Sequence, residues 1–287
     1  MSATTTQAPG HQAVSVRPVN FARVLRSESV KFWSLRSTYW SIGVAIVSMV
    51  LLSLLMAAAA SAVSSDGSLA PDEVGLDGTL VIGVGYSMSQ LVIAVLGVLM
   101  ISGEYSTGMI RSSFAAVPSR LPVLAAKAIL IAVVSFVVGV VGVALSYVVT
   151  MPLLADAGGA ADLGDPDTLR MFWGTGLYLA AVGVFALAIG ALLRHSAGAI
   201  ATVLGILLLL PTIFTLAMNW LDWLQDLYPY LPTTAGERIV AVENEAMDMA
   251  MMGLPPLLDP WAGLGVFAIY IVVALVAAAV LMRRRDA

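Results

Sequence analysis

Six long stretches, uncharged except for one lysine, constrain this chain more than any other feature. They run at about Ser41–Val63, Thr79–Ile101, Pro122–Met151, Met171–Leu193, Ser196–Met218 and Trp261–Met282, and only Lys127 interrupts them. Crossing the hydrocarbon core takes roughly 20 helical residues. The chain is 60% hydrophobic and 11% charged, with a mean hydropathy of +0.94. A soluble domain carries about 25% charged residues, so so much apolar surface points to lipid as its solvent. The expected fold is all-α, with six transmembrane helices and an N-terminal amphipathic helix at the interface. Lys127 lies near the start of the third stretch, where its stem can snorkel to the headgroups. Pro211 falls near the end of the fifth, and a membrane helix tolerates it when neighbours satisfy the freed carbonyl.

Orientation follows from the cations. With the N-terminus inside, the cytoplasmic segments hold Arg17, Arg23, Arg26, Lys31, Arg36, Arg111, Arg120, Lys127, Arg194 and Arg283–Arg285, while the outer loops keep Arg170 and Arg238. The acids divide the other way, with only Glu28, Glu104 and Asp286 inside. Removing one span would reverse part of this pattern, so both termini are expected in the cytoplasm.

Residues 1–19 are polar, small and lack an apolar core, which reads as a cytoplasmic tail rather than a secretory signal. Residues 20–38 form the amphipathic unit. Within Asn20–Ser37, Phe21, Val24, Leu25, Phe32 and Leu35 recur at helical spacing among Arg23, Arg26, Lys31 and Arg36, and Asn20 is placed to cap the helix. Residues 39–287 make the six-span domain, with an inner loop at 102–121 and an outer segment at 219–260. Ser106 or Thr107 is expected to cap a short helix in the inner loop, ending before Pro118. The outer segment opens with Trp220, Trp223, Tyr228 and Tyr230, suited to the interface, and a helix-compatible stretch follows over Thr234–Met252. Whether that stretch re-enters the membrane stays open.

Several chemistries have no carrier. No Gly-x-x-x-x-Gly-Lys-Ser/Thr loop exists, so the chain has no Walker ATP site. No His-Glu-x-x-His or Gly-x-Ser-x-Gly motif occurs. Cysteine is absent, and His11 and His195 have no neighbour at ligand spacing. No catalytic residue and no metal ligand is assigned. The net charge of -4 gives no footprint for nucleic acid. The spans hold no carboxylate, which argues against ion relays.

Small residues line single helical faces: Ser135, Gly139, Gly142 and Ser146 in the third span, with Gly176, Gly183 and Gly190 in the fourth. Tyr86 and Gln90 share a face of the second. Such positions serve either close helix packing or a substrate path, and a mid-span Gln seeks a hydrogen-bond partner.

The inner loop reads Ser-Gly-Glu-Tyr-Ser-Thr-Gly-Met-Ile-Arg, then Pro118, Arg120 and Lys127. In its Glu104, Gly108, Arg111, Pro118, Arg120 and Lys127 pattern, and in its six-span architecture, the chain resembles the permease subunits of ABC-2 type exporters. The resemblance implies that Glu104, Tyr105, Thr107, Gly108, Arg111, Pro118 and Arg120 couple the spans to a cytoplasmic ABC ATPase. It further implies a second permease copy or paralogue, residence in the plasma membrane, and ATP with Mg held by the partner rather than by this chain. Apolar spans fit a hydrophobic or amphipathic cargo. The rivals are a non-transporting scaffold or sensor, and a membrane-embedded enzyme, for which no polar cluster is visible in the spans.

Overall fold

A computed structural model describes residues 20–65, 78–110, 112, 117, 120–156, 159–242 and 255–284. Six helical spans cross it: Arg36–Val63, Gly78–Thr107, Leu121–Ala155, Pro166–Leu193, Ser196–Ala217 and Pro260–Arg284. Every expected stretch lies within one of them, apart from Met218 at the end of the fifth. The described residues contain no strand. The 1–19 tail lies outside the described residues.

Helix α1, Phe21–Ser34, precedes the first span. Asn20 caps it as expected, its Oδ1 accepting the Ala22 N–H at 2.7 Å. Extended backbone at Leu35 breaks it from α2, Arg36–Ser65. Its buried residues are Val24, Glu28 and Phe32, four apart on one face. Val24 packs on Val123 and Ala126 at the start of the third span, whereas Phe21 and Leu35 are exposed. The helix is therefore seated on the bundle through a stripe that includes an acid.

The second span is broken into α3, Gly78–Gly83, and α4, Tyr86–Thr107. At the break, a Cβ on Gly85 would stand 2.5 Å from the Met49 backbone, so only glycine allows the first two spans to approach this closely. The third span is α5, Leu121–Asp156, and the fourth is α6, Pro166–Leu193. Asp165 caps α6 ahead of Pro166, and Arg194 closes it in the left-handed region. The fourth span is the centre of the bundle: 61% of its apolar window is buried, against 17% for the fifth and sixth.

The fifth span begins as α7, Ser196–Leu204, capped by His195, whose Nδ1 accepts the Gly198 N–H at 3.1 Å. It widens into a π turn over Gly205–Leu209 and continues as α8, Leu210–Ala217. Pro211 has no N–H, so in the π pattern the Ile206 carbonyl loses its donor. Thr233 supplies one, its Oγ1 donating to Ile206 O at 3.4 Å.

Thr233 belongs to the segment between the fifth and sixth spans. After α9, Trp223–Leu227, the chain makes a turn of 3₁₀ helix at Tyr228–Tyr230 and enters α10, Pro232–Glu237. Pro232, Thr233, Thr234, Ala235 and Gly236 are all buried, and α10 packs beside the sixth span, α11, Pro260–Arg284. The helix is shorter than the Thr234–Met252 expectation, ending at Glu237; residues 243–254 lie outside the described residues. The two cations expected outside tie this segment down. Arg170 Nη2 donates to Ala241 O at 2.7 Å, and Arg238 Nε donates to Leu258 O at 2.9 Å.

Candidate functional site

The inner loop begins later than expected. Helix α4 continues to Thr107 and stops because Gly108 adopts φ 74, its N–H bonded to Tyr105 O. Ser106 and Thr107 are not N-caps: both hydroxyls donate to the Gly103 carbonyl, at 2.9 Å each. Glu104, Tyr105 and Thr107 thus belong to the last turns of the second span. Arg111 and Pro118 lie outside the described residues.

Glu104 is not displayed to solvent. It is 8% exposed and belongs to a cluster of two acids and two lysines in which Lys31 alone is partly exposed. Lys127 Nζ stands 2.6 Å from Glu28 Oε2 and 2.8 Å from Glu104 Oε1, and donates to Met100 O at 3.2 Å. Lys31 Nζ meets Glu28 Oε1 at 2.7 Å and Glu104 Oε1 at 3.3 Å. Lys127 is 2% exposed, so it does not snorkel; carboxylates from α1 and α4 give its charge a nearer partner than water. The cluster joins α1 to the second and third spans. Burial alone would raise the Glu28 pKa, but Lys127 and Lys31 outweigh it and hold that carboxyl below the ordinary range. Burial likewise works to lower the Lys31 pKa, and Glu28 and Glu104 override it, leaving the ammonium raised.

The far end of the loop is anchored as firmly. Arg120, at φ 56, donates from Nη1 to the Met282 carbonyl at 2.8 Å, where a cation meets the C-terminal end of the sixth helix. The Arg194 guanidinium lies 5.0 Å over the Tyr105 ring, and Ser196 Oγ donates to Ser102 Oγ at 2.9 Å. The end of the second span is thus held against Arg194 and the start of the fifth, and Arg120, at the start of the third, is held against the end of the sixth.

The remaining site candidates, Ser146 aside, meet other helices. A Cβ on Gly139 would fall 2.8 Å from Gly176 Cα, one on Gly183 would fall 2.9 Å from Ser135 Oγ, and one on Gly142 would enter the Met49 side chain. Ser146 is buried in α5, its carbonyl taking the Thr150 hydroxyl. Tyr86 stacks edge-on with Tyr178 at 5.6 Å. Gln90 finds partners on both sides: the Tyr178 hydroxyl donates to its Oε1 at 2.5 Å, and its Nε2 donates to Glu237 Oε1 at 3.4 Å. Tyr178 is central in its span and fully buried. Glu237, carried on α10 in the segment between the fifth and sixth spans, thus brings a carboxylate against the middle of the fourth span, which the absence of acids from the spans themselves did not suggest.

Sequence reasoning missed Glu28, Lys31, Tyr178 and Glu237 as members of these clusters. A signal existed for Glu28, which sits four residues from both Val24 and Phe32 on the apolar stripe. For Glu237 there was none, since its depth depends on α10 turning back.

The family model for ABC-2 family transporter proteins matches residues 34–287. The chain belongs to this family. Comparison with curated proteins gives no match. ABC-2 membrane domains are transport subunits that are not themselves catalytic, and they generally pair with an ABC ATPase. The protein is accordingly a multi-pass ABC-2 permease, and the cluster of Glu28, Lys31, Glu104 and Lys127 ties α1 to the facing ends of its second and third spans.

Proposed function

We propose that this permease is the membrane subunit of an ATP-driven exporter, energised by a separate cytoplasmic ABC ATPase and working with a second copy or paralogue. The end of the bundle that carries α1, Gly108 and Met282 faces the cytoplasm of a plasma membrane, as the cation distribution favours. The cargo is hydrophobic or amphipathic.

One observation supports this reading above the others: the Gly108–Arg120 segment is exposed at Met109 and Ser112, yet clamped at both ends. A partner pushing on it would move the second and third spans through Glu104 and Lys127, and the sixth through Arg120. Glu104 then transmits force as a buried strut rather than docking the ATPase as an exposed charge, and partner contact falls to the intervening residues, Arg111 among them. Co-expression with an ABC ATPase tests the reading. The expected result is a stable complex whose hydrolysis depends on the permease, with Arg111→Ala weakening co-purification. A permease that captures no ATPase, or one that hydrolyses ATP alone, would overturn it.

A further inference from the structure

Helix α1 has most of its apolar stripe covered by protein. Val24 and Phe32 are buried and Leu25 is half-buried, packed on the third span and the core of the bundle. The acid on that stripe, Glu28, is buried against Lys127 and Lys31. What α1 turns outward is a second stripe, Arg23, Arg26, Val30 and Trp33, spaced i, i+3, i+7 and i+10, and all four are exposed. A helix is held on a bilayer by an apolar face sunk among acyl chains or by cations set against anionic headgroups. In α1 the first means is largely spent on protein. Val30 and Trp33 suit any bilayer, whereas the arginines distinguish one headgroup charge from another.

The charge balance is one-sided in the same sense. From Met1 to Ser65 the sequence holds five cations, Arg17, Arg23, Arg26, Lys31 and Arg36, against one acid, Glu28. Because that acid is buried and neutralised, the described surface of 20–65 displays positive charge and no exposed acid.

Position decides between lipid and water. On α2, Arg36, Trp40, Val44, Val47 and Leu51 follow one another at spacings of four and three, and all are exposed. This is the face a span turns to acyl chains. It ends at Trp40, a residue of the interfacial belt, and Arg36 stands one turn, about 6 Å, beyond it, at the depth of the phosphates. Trp33 rests on Tyr39 with ring centroids 5.6 Å apart, so the end of α1 lies at the same level.

We propose that the outward stripe of α1, together with Arg36, binds anionic phospholipid, with Arg23, Arg26 and Arg36 meeting the headgroup phosphates and Val30 and Trp33 reaching the glycerol level beside them. A guanidinium offers phosphate two parallel N–H donors. Lipid thus holds from outside the helix that Glu28 and Lys127 hold from within. The binding does not depend on the exporter reading.

The test uses the full chain in phosphatidylcholine nanodiscs. Cysteine is absent from the sequence, so Val30→Cys accepts a single bimane label on α1. Phosphatidylglycerol and phosphatidylcholine carrying the same nitroxide-labelled acyl chain are then compared as quenchers. Each cation near the surface favours anionic lipid about fivefold, so three set a preference of up to about a hundredfold at low salt. Half-quenching is expected at a correspondingly lower fraction of phosphatidylglycerol, with the difference shrinking as salt rises. Arg23→Gln, Arg26→Gln and Arg36→Gln together should fold normally, being exposed, and should remove the preference. The three Arg→Lys changes should retain most of it, and Arg283→Gln with Arg284→Gln should leave it intact. Equal quenching by the two lipids, quenching by neither, or a preference that survives the folded triple Gln variant would overturn the proposal. An acidic face of the ATPase is the rival occupant: if adding the ATPase abolishes quenching by both lipids, the stripe belongs to that protein and the lipid assignment falls.

Discussion

Replacing Lys127 with alanine should unseat α1 and destabilise the permease, although the side chain lies at the end of a span where a lysine can ordinarily reach water. The Lys127 ammonium touches Glu28 and Glu104 at 2.6 and 2.8 Å, and the three side chains are 3%, 2% and 9% exposed. With charge centres about 4 Å apart and an effective dielectric of about 20, each contact contributes about 4 kcal/mol of attraction. Desolvating the ions opposes this by several kcal/mol each. Removal of one partner does not recover that cost for the two acids left behind. Lys31 cannot replace it, being 32% exposed and 3.3 Å from Glu104. The expected loss is about 3–5 kcal/mol. Thermal unfolding of detergent-solubilised protein, followed by fluorescence-detected size exclusion, reads it. A double-mutant cycle identifies the cause: Lys127→Met with Glu28→Gln leaves fewer uncompensated charges than Lys127→Met alone and should recover at least about 1 kcal/mol of coupling. A Lys127→Ala variant within about 0.5 kcal/mol of the parent, together with additive single variants, would show that Lys127 is solvated and would refute the clamp.

Glu28 and Lys31 together set a pH window. The depressed Glu28 pKa gives stability that is full above 4.5 and lost as pH falls through its lower folded value, while the raised Lys31 pKa gives stability that is full below 10.5 and lost as pH rises through its folded value; hydrogen-exchange protection of α1 should therefore stay flat between these limits and fall beyond both. Gly139→Leu should cost about 1–3 kcal/mol or more by forcing α5 from Gly176, whereas Gly265→Ala, which meets nothing within 4 Å, should be close to neutral in the same unfolding assay. Tyr178→Phe should cost about 1–3 kcal/mol by stripping Gln90 and Glu237 of a donor; an unchanged midpoint would mean that the cluster does not hold α10 in place. Reporter fusions after Gly10 and at Ala287 should both read as cytoplasmic, and an external reading of either would remove the proposed orientation.

The span count, the Asn20 cap, the rescue of Pro211 and a partner for Gln90 were all legible from residue order. Each rests on a property local to its residue: apolar transfer free energy summed along a helix, a side chain beside its own helix end, a missing N–H, an amide that must bond somewhere. Partner identity was not legible in the same way. Residue order alone leaves Lys127 two outlets, water or a carboxylate, and both satisfy an ammonium. Only the seating of α1 against the third span, Val24 on Val123 and Ala126, brings Glu28 close enough to decide between them. Glu104 shows the same limit, because it turns from a loop charge into a buried strut once α4 runs on to Gly108. Glu237 is the extreme case: a carboxylate in a segment between spans reaches the fully buried Tyr178 because α10 folds back into the bundle. Hydropathy settles which segments enter the membrane, since lipid acts on each segment separately. The pairing of buried charges waits on tertiary structure, since it depends on distances between helices that no single segment contains.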